Sequence, residues 1–298
     1  FLQIYDLPSE NKVHKIKTAC TGGIYILINV VLFLILAKLY EIESFFDGIS
    51  YRQLTTFLFA IICLLLIGVL DDKYKLSPNI KIVLFLLIFS IFIIFDSKSI
   101  ITVFNLSFTI YSPHLNYTQA LIFGIFCYFS FLNAFNMFDG INFQSIFYSI
   151  IFFLFIMIKY EFDPFMIVLL FSLISILFLN LKNLIFLGNN GTNFLSFIIS
   201  YFVIDLYNNK QLYADEVLLL MLIPGIDMIR MVFERLRIGK NPFSGDLSHI
   251  HHLLNKKLNL FKTQLIINIP ILISFISVLF MKINSVILII IVLVYYFF

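Results

Sequence analysis

Ten runs of apolar residues, separated by short polar segments, constrain this 298-residue chain more than any other feature. They lie at about 22–39, 54–70, 80–95, 118–135, 144–158, 164–181, 191–201, 217–233, 263–281 and 285–298. A helix of about 17–25 apolar residues crosses a bilayer, because in lipid only helices and closed barrels satisfy their own backbone groups. Several runs are shorter and would borrow flanking residues. The expected fold is therefore all-α: a polytopic membrane helix bundle of about ten spans, forming one domain over 1–298. The segment 100–117, with Pro113 and alternating polar residues, reads as an external loop with a short hairpin.

Composition supports this. Hydrophobic residues make up 61% and charged residues 12%, against roughly 45–50% and ~25% in a soluble domain. A cytosolic enzyme, a secreted disulfide scaffold and a disordered tail are excluded. A net charge of +3 indicates no nucleic-acid module. Cys20, Cys63 and Cys127 lie far apart and read as inert thiols rather than a disulfide framework or metal pair.

Alternating the spans from an N-terminal end on side one places fourteen of the 20 Lys and Arg on that side and six on the other. Cytoplasmic loops carry the Lys/Arg excess, so side one is the cytoplasmic side. The same alternation puts four polar clusters on side one. Asp71-Asp72 closes an apolar run and is followed by Lys73 and Lys75. Carboxylates at bilayer depth cost on the order of 2.5–3.5 kcal/mol, so the pair belongs at the interface or in a wet cavity. Paired carboxylates beside lysines suit a Mg²⁺-and-phosphate site. Asn133, Asn136, Asp139 and Asn142 repeat every third residue, which places the first three along one helical stripe, and Gly140 lets the chain turn out. The alternative is amide bonding between helices. Gly188-Asn-Asn-Gly-Thr-Asn193 opens an apolar helix, where free amide groups favour an anion such as phosphate. Asp246 to His252 holds His249, His251 and His252 among basic residues, a cluster suited to phosphate; Asp246 is placed to cap the next helix. Zinc would need a fourth ligand that the segment lacks.

Together these clusters resemble the polyprenyl-phosphate N-acetylhexosamine-1-phosphate transferases. Asp6 to His14 with Gly22-Gly23 is similar to the family's first cytoplasmic loop, Asp71-Asp72 to its aspartate pair, and Asn133 to Gly140 to its N-A-x-N-x-x-D-G motif. Gly188 to Phe197 is similar to the G-D-x-G-S segment, and Asp246 to His252 to the D-R-x-H-x-H-H loop of the GlcNAc-transferase branch. The resemblance implies transfer of a HexNAc-1-phosphate from a UDP-sugar to a polyprenyl phosphate, with Mg²⁺ (or Mn²⁺) and release of UMP, at the cytoplasmic face of a bacterial inner membrane. It marks Asp71, Asp72 and Asp139 as catalytic carboxylates. It marks Asn133, Asn136, Asn142, Lys73, His249, His251 and His252 as substrate-binding, and Asn136 and Asn189 as metal positions. The lipid acceptor, the UDP-sugar and the bilayer are the expected partners, with a homodimer left open and no nucleic acid. The resemblance also implies one further helix before the Asp6 loop, in agreement with a first residue, Phe1, that is not Met.

Four positions depart from the family pattern. Asn189 and Asn142 stand where it has aspartates, Phe143 where it has glycine, and Leu247 where it has arginine. Two other readings follow: a member that holds lipid phosphate without turnover, and a transporter. A transporter should carry ionisable residues inside several spans, and here Asp227, with Arg230 near the end of its run, is the exception.

Overall fold

The computed structural model describes residues 4–6, 17–160, 163–242, 248–281 and 284–297. Among the described residues the regular structure is helical except for a small three-stranded sheet, which the all-α expectation did not contain. β1 (Tyr5–Asp6) pairs antiparallel with β2 (Thr18–Cys20), and β2 pairs parallel with β3 (Ile185–Phe186). Strands of two or three residues have no periodicity to detect. Their importance is positional: β2 runs into α1 (Gly22–Leu39) and β3 into α7 (Gly188–Asn208), so the sheet sets the start of both helices side by side.

Local signals delimit the other helices. Ser50 and Gln53 form a capping box ahead of α2 (Tyr51–Tyr74), and Asn116 and Gln119 do so ahead of α4 (Tyr117–Phe138). Ser77 caps α3 (Pro78–Phe95) and Asp163 caps α6 (Pro164–Leu181), each followed by a proline whose missing N–H costs nothing in the first turn. α5 (Gln144–Tyr160) lies between α4 and α6. The expected short hairpin is present: Val103 bridges His114, with Phe104 N–H donating to the Pro113 carbonyl at 2.9 Å.

Six helices are long and apolar enough to cross a membrane by length and composition: α1, α2, α3, α4, α6, and α11 (Leu260–Ile276) extended by a π-turn to Phe280. α5 and α12 (Ser285–Phe297) are apolar but shorter. The chain is a multi-pass membrane protein, with fewer qualifying spans among the described residues than the ten expected. The run at 217–233 is not one helix. It breaks at Met221 into α8 (Ala214–Leu220) and α9 (Leu222–Arg237), because Pro224 has no N–H to carry the ladder back across the junction.

α7 is the central post. From Asn190 to Tyr207 every side is buried, against α1, α2, α4 and α5. Aromatic residues fill this core: Phe197 meets Phe92 edge-on at 4.9 Å between centroids, and Phe57 at 5.5 Å. At its polar start α7 touches backbone instead. A Cβ on Gly68 of α2 would lie 2.3 Å from Asn190 Cα, and one on Gly23 of α1 would lie 2.5 Å from Gly191 N. Glycine on the partner helices is what lets α7 approach so closely.

Candidate active site

The start of α7 is held by a carboxylate from α2. Asp72 Oδ1 accepts from Asn189 N (3.0 Å) and Asn189 Nδ2 (2.8 Å), and Oδ2 from Asn190 N (3.1 Å) and Asn190 Nδ2 (2.6 Å). Four donors fill the acceptor positions of one carboxylate. Gly188 makes the turn at φ +71°, and a Cβ there would lie 2.8 Å from Asp72 Oδ2. The expectation that these amides wait for a phosphate is corrected: the anion at this helix start is Asp72 itself. Asp71 is one residue away on the helix but faces elsewhere, buried and paired with Lys81 Nζ at 3.0 Å. Lys73 is exposed, its Nζ 5.2 Å from the Tyr74 ring centroid.

Asp139 follows the last residue of α4, one turn beyond Asn136. Ser145 Oγ donates to Asp139 Oδ1. Burial pushes this carboxyl up from 3.8 to about 6; the Ser145 hydrogen bond opposes the rise, and the charge of Asp72 adds to it. Asp72 and Asp139 therefore act on the same space. Two asparagines of the stripe are tied elsewhere through Nδ2. Asn133 Nδ2 donates to its own helix at Phe129 O (2.8 Å). Asn142 Nδ2 donates to Asn180 O (3.1 Å) and Asn183 Oδ1 (2.6 Å), while the Asn142 backbone carbonyl accepts from Gln264 Nε2 (2.8 Å). Both side chains are tied to structure through Nδ2, which leaves their Oδ1 atoms for the substrate-binding role expected of Asn133 and Asn142. Phe143 sits at φ +81°, a region that favours glycine; Asn180 Oδ1 on its N–H (2.7 Å) and the Phe147 ring stacked at 4.6 Å hold it there.

The histidines arrive from α10 (Ile250–Lys257) and the residue before it. His249 Nδ1 donates to Asp227 Oδ2 at 2.7 Å, and Arg235 lies 3.3 Å from its Nε2. His249 is thus spent inside the protein rather than offered to a substrate. His251 is fully buried with both ring nitrogens unpartnered, and a Cβ on Gly140 would lie 1.8 Å from its Nε2. Gly140 is glycine here because an imidazole lies over it, not because it turns the chain with a positive φ. Burial and the neighbouring His252 and His249 hold the His251 pKa well below its ordinary value, so the ring is neutral at pH 7. The His251 and His252 rings are 4.3 Å apart. Asp246 and Leu247 fall outside the described residues, as do residues 7–16 of the first-loop stretch.

The glycosyl transferase family 4 model matches residues 54–207, which run from α2 to α7 and include Asp72, Asp139 and Asn189. The chain belongs to glycosyl transferase family 4. Similar family proteins include the undecaprenyl-phosphate alpha-N-acetylglucosaminyl 1-phosphate transferase of Thermotoga maritima, 27% identical over 266 residues, 89% of this chain and 77% of that protein. The protein so named in Escherichia coli (strain K12) is 27% identical over 64% of this chain and 55% of its own length, so the match spans about half of that relative. The probable undecaprenyl-phosphate N-acetylglucosaminyl 1-phosphate transferase of Bacillus subtilis (strain 168) is 28% identical over 84% of this chain and 69% of its own.

Among the described residues no group of three or more His, Cys, Asp and Glu gathers as a metal site. The family-derived metal position Asn189 turns its Nδ2 to Asp72, so its oxygen faces away from that carboxylate. What remains is the second oxygen of Asp139, whose first is held by Ser145, together with the Asn136 amide one turn earlier. One carboxylate and one neutral oxygen fit Mg²⁺ only where substrate phosphates and water complete the shell, which is how this ion is commonly held. Three site features had little signal in the sequence: Ser145, Gly68, and Asp227, whose one clue was an ionisable residue inside an apolar run.

Proposed function

We propose that the chain transfers a HexNAc-1-phosphate from UDP-HexNAc to undecaprenyl or a related polyprenyl phosphate, releasing UMP, at the cytoplasmic face of a bacterial inner membrane. This would be the first step of a surface glycan. The observation carrying the reading is convergence: Asp72, the Asn189-Asn190 helix start, the Asp139-Gly140 corner and His251 come from four separate stretches and meet at one end of the bundle. The names of the relatives and the family membership support the substrate class.

The lipid phosphate needs no strong base. Its second pKa is near 6, so at pH 7 it is already largely dianionic. One of its oxygens attacks the sugar-bearing phosphorus, the bond from that phosphorus to the oxygen of UMP breaks, and UMP leaves with the electron pair. Asp139 and Asn136 would hold Mg²⁺, which screens the phosphate charge. Ser145 fixes the Asp139 carboxyl, Asp72 fixes the α7 start beside it, and neutral His251, buried over Gly140 with one donor and one acceptor unpartnered, backs the same corner. Lys73, exposed at the rim, is available to phosphate oxygens. One observation favours a second reading, a silent member: Asn189 clamps Asp72 where the family carries a second acid.

The test is purified protein with undecaprenyl phosphate, Mg²⁺ and each common UDP-HexNAc. Polyprenyl-linked sugar phosphate and stoichiometric UMP are expected, and are lost on adding EDTA. Absence of turnover with every sugar, restored by Asn189→Asp, would establish the silent reading instead.

A further inference from the structure

α10 begins without a cap of its own: His249 is its N-cap and makes no side-chain capping bond. The anion comes from another helix. Asp227 of α9 is 1% exposed. Its Oδ1 accepts from Ile250 N (3.1 Å), Arg230 (2.9 Å) and Tyr296 of α12 (2.7 Å), and its Oδ2 accepts from His249 Nδ1 (2.7 Å). Arg230 also donates to the Ser248 carbonyl (2.8 Å) and to Tyr296 Oη (2.9 Å). These bonds pull the Asp227 carboxyl well below the usual carboxylate range against the opposing effect of burial. Four donors leave Asp227 no capacity for substrate or metal.

What this anchor carries is His251, one residue past Ile250 in the first turn of α10. Its imidazole is buried, unpartnered at both nitrogens, and pressed onto Gly140 beside Asp139. Among the described residues, nothing on α10 itself hydrogen-bonds the ring into that position. We propose that Asp227 is a positioning residue: by binding His249 and the Ile250 amide it sets the first turn of α10 and so keeps His251 on the Asp139-Gly140 corner. Its effect on turnover rests on the transferase reading; its effect on placement does not.

Two double-substitution cycles test the two parts separately. In the first, thermal midpoints are measured in nanodiscs without substrate. Gly140→Ala, which drives a methyl into the His251 ring, should lower the midpoint of the parent protein. It should cost much less in Asp227→Ala, and nothing in His251→Ala. Asp227→Asn, which keeps an acceptor for Ile250, should preserve most of the Gly140→Ala penalty. An equal penalty in the parent and in Asp227→Ala overturns the proposal. In the second, Asp227→Ala and His251→Ala should each slow turnover by about 100-fold, the scale of an ångström-sized misplacement. The pair together should be no slower than the worse single variant, and Asp227→Asn should recover activity. Losses that multiply, to about 10⁴-fold, overturn it. If Asp227→Ala does not fold, Asp227→Ser replaces it in both cycles, with Asp227→Asn kept as the conservative control. A parent protein with no turnover would refute the transferase reading, and the midpoint cycle would still decide the placement.

Discussion

Asp139 and Asp72 are both carboxylates at helix ends, yet their surroundings give them different work. Asp72 is saturated by four N–H donors, whereas Asp139 has one hydroxyl on one oxygen. That difference predicts a pH effect. An acid whose pKa rises from 3.8 to about 6 on folding stabilises the fold only while protonated. Its contribution is whole below about 4 and is lost as pH rises through about 6. Asp139→Asn, always neutral, should therefore gain thermal midpoint over the parent between pH 4 and 7 in metal-free buffer, with a plateau above. A difference independent of pH would mean that Asp139 is not buried as described. The residue types of the site were legible: acids and amides stand out in an apolar chain. Which of them face the site was not. Asn133, Asn136 and Asn142 look equivalent at a spacing of three, but two are claimed by Phe129, Asn180 and Asn183, partners that spacing cannot specify.

At the scale of elements, two helices begin at a carboxylate donated from elsewhere: α7 at Asp72 and α10 at Asp227. An N-terminus of this kind collects unpaired N–H groups and a positive dipole end, so a foreign anion both satisfies and orients it. Asp72→Ala should accordingly destabilise the protein by about 2 kcal/mol or more as well as remove turnover. Were Asp72 a purely catalytic group, activity would disappear with the thermal midpoint unmoved, and that outcome would refute the anchoring role. Helix positions were readable from apolar runs and capping residues such as Ser50, Asn116 and Asp163. The three-stranded sheet was not, since it depends on a few residues whose partners lie far along the chain, and the break at Met221 had only Pro224 as a local signal inside a long apolar run.

For the whole molecule, the proposed reading puts the converged end in the cytoplasm, where a Lys/Arg excess would belong. Lys73 lies at that end and Tyr111, in the hairpin loop, at the other; both are exposed. A membrane-impermeant thiol reagent on intact cells should label Tyr111→Cys and spare Lys73→Cys, with both labelled after permeabilisation. The opposite pattern would invert the topology and place the site outside. The amino-acid sequence by itself determined that the chain must enter a membrane as helices, because its apolar runs leave no other way to pair backbone groups in lipid. It also marked the polar clusters, because charged and amide groups at bilayer depth are too costly to be casual. Only the tertiary structure decided which of those groups are consumed in holding helices to one another and which remain open. A hydrogen bond is a matter of a few ångströms between residues more than a hundred positions apart, as between Asp72 and Asn189, and no local pattern encodes that distance.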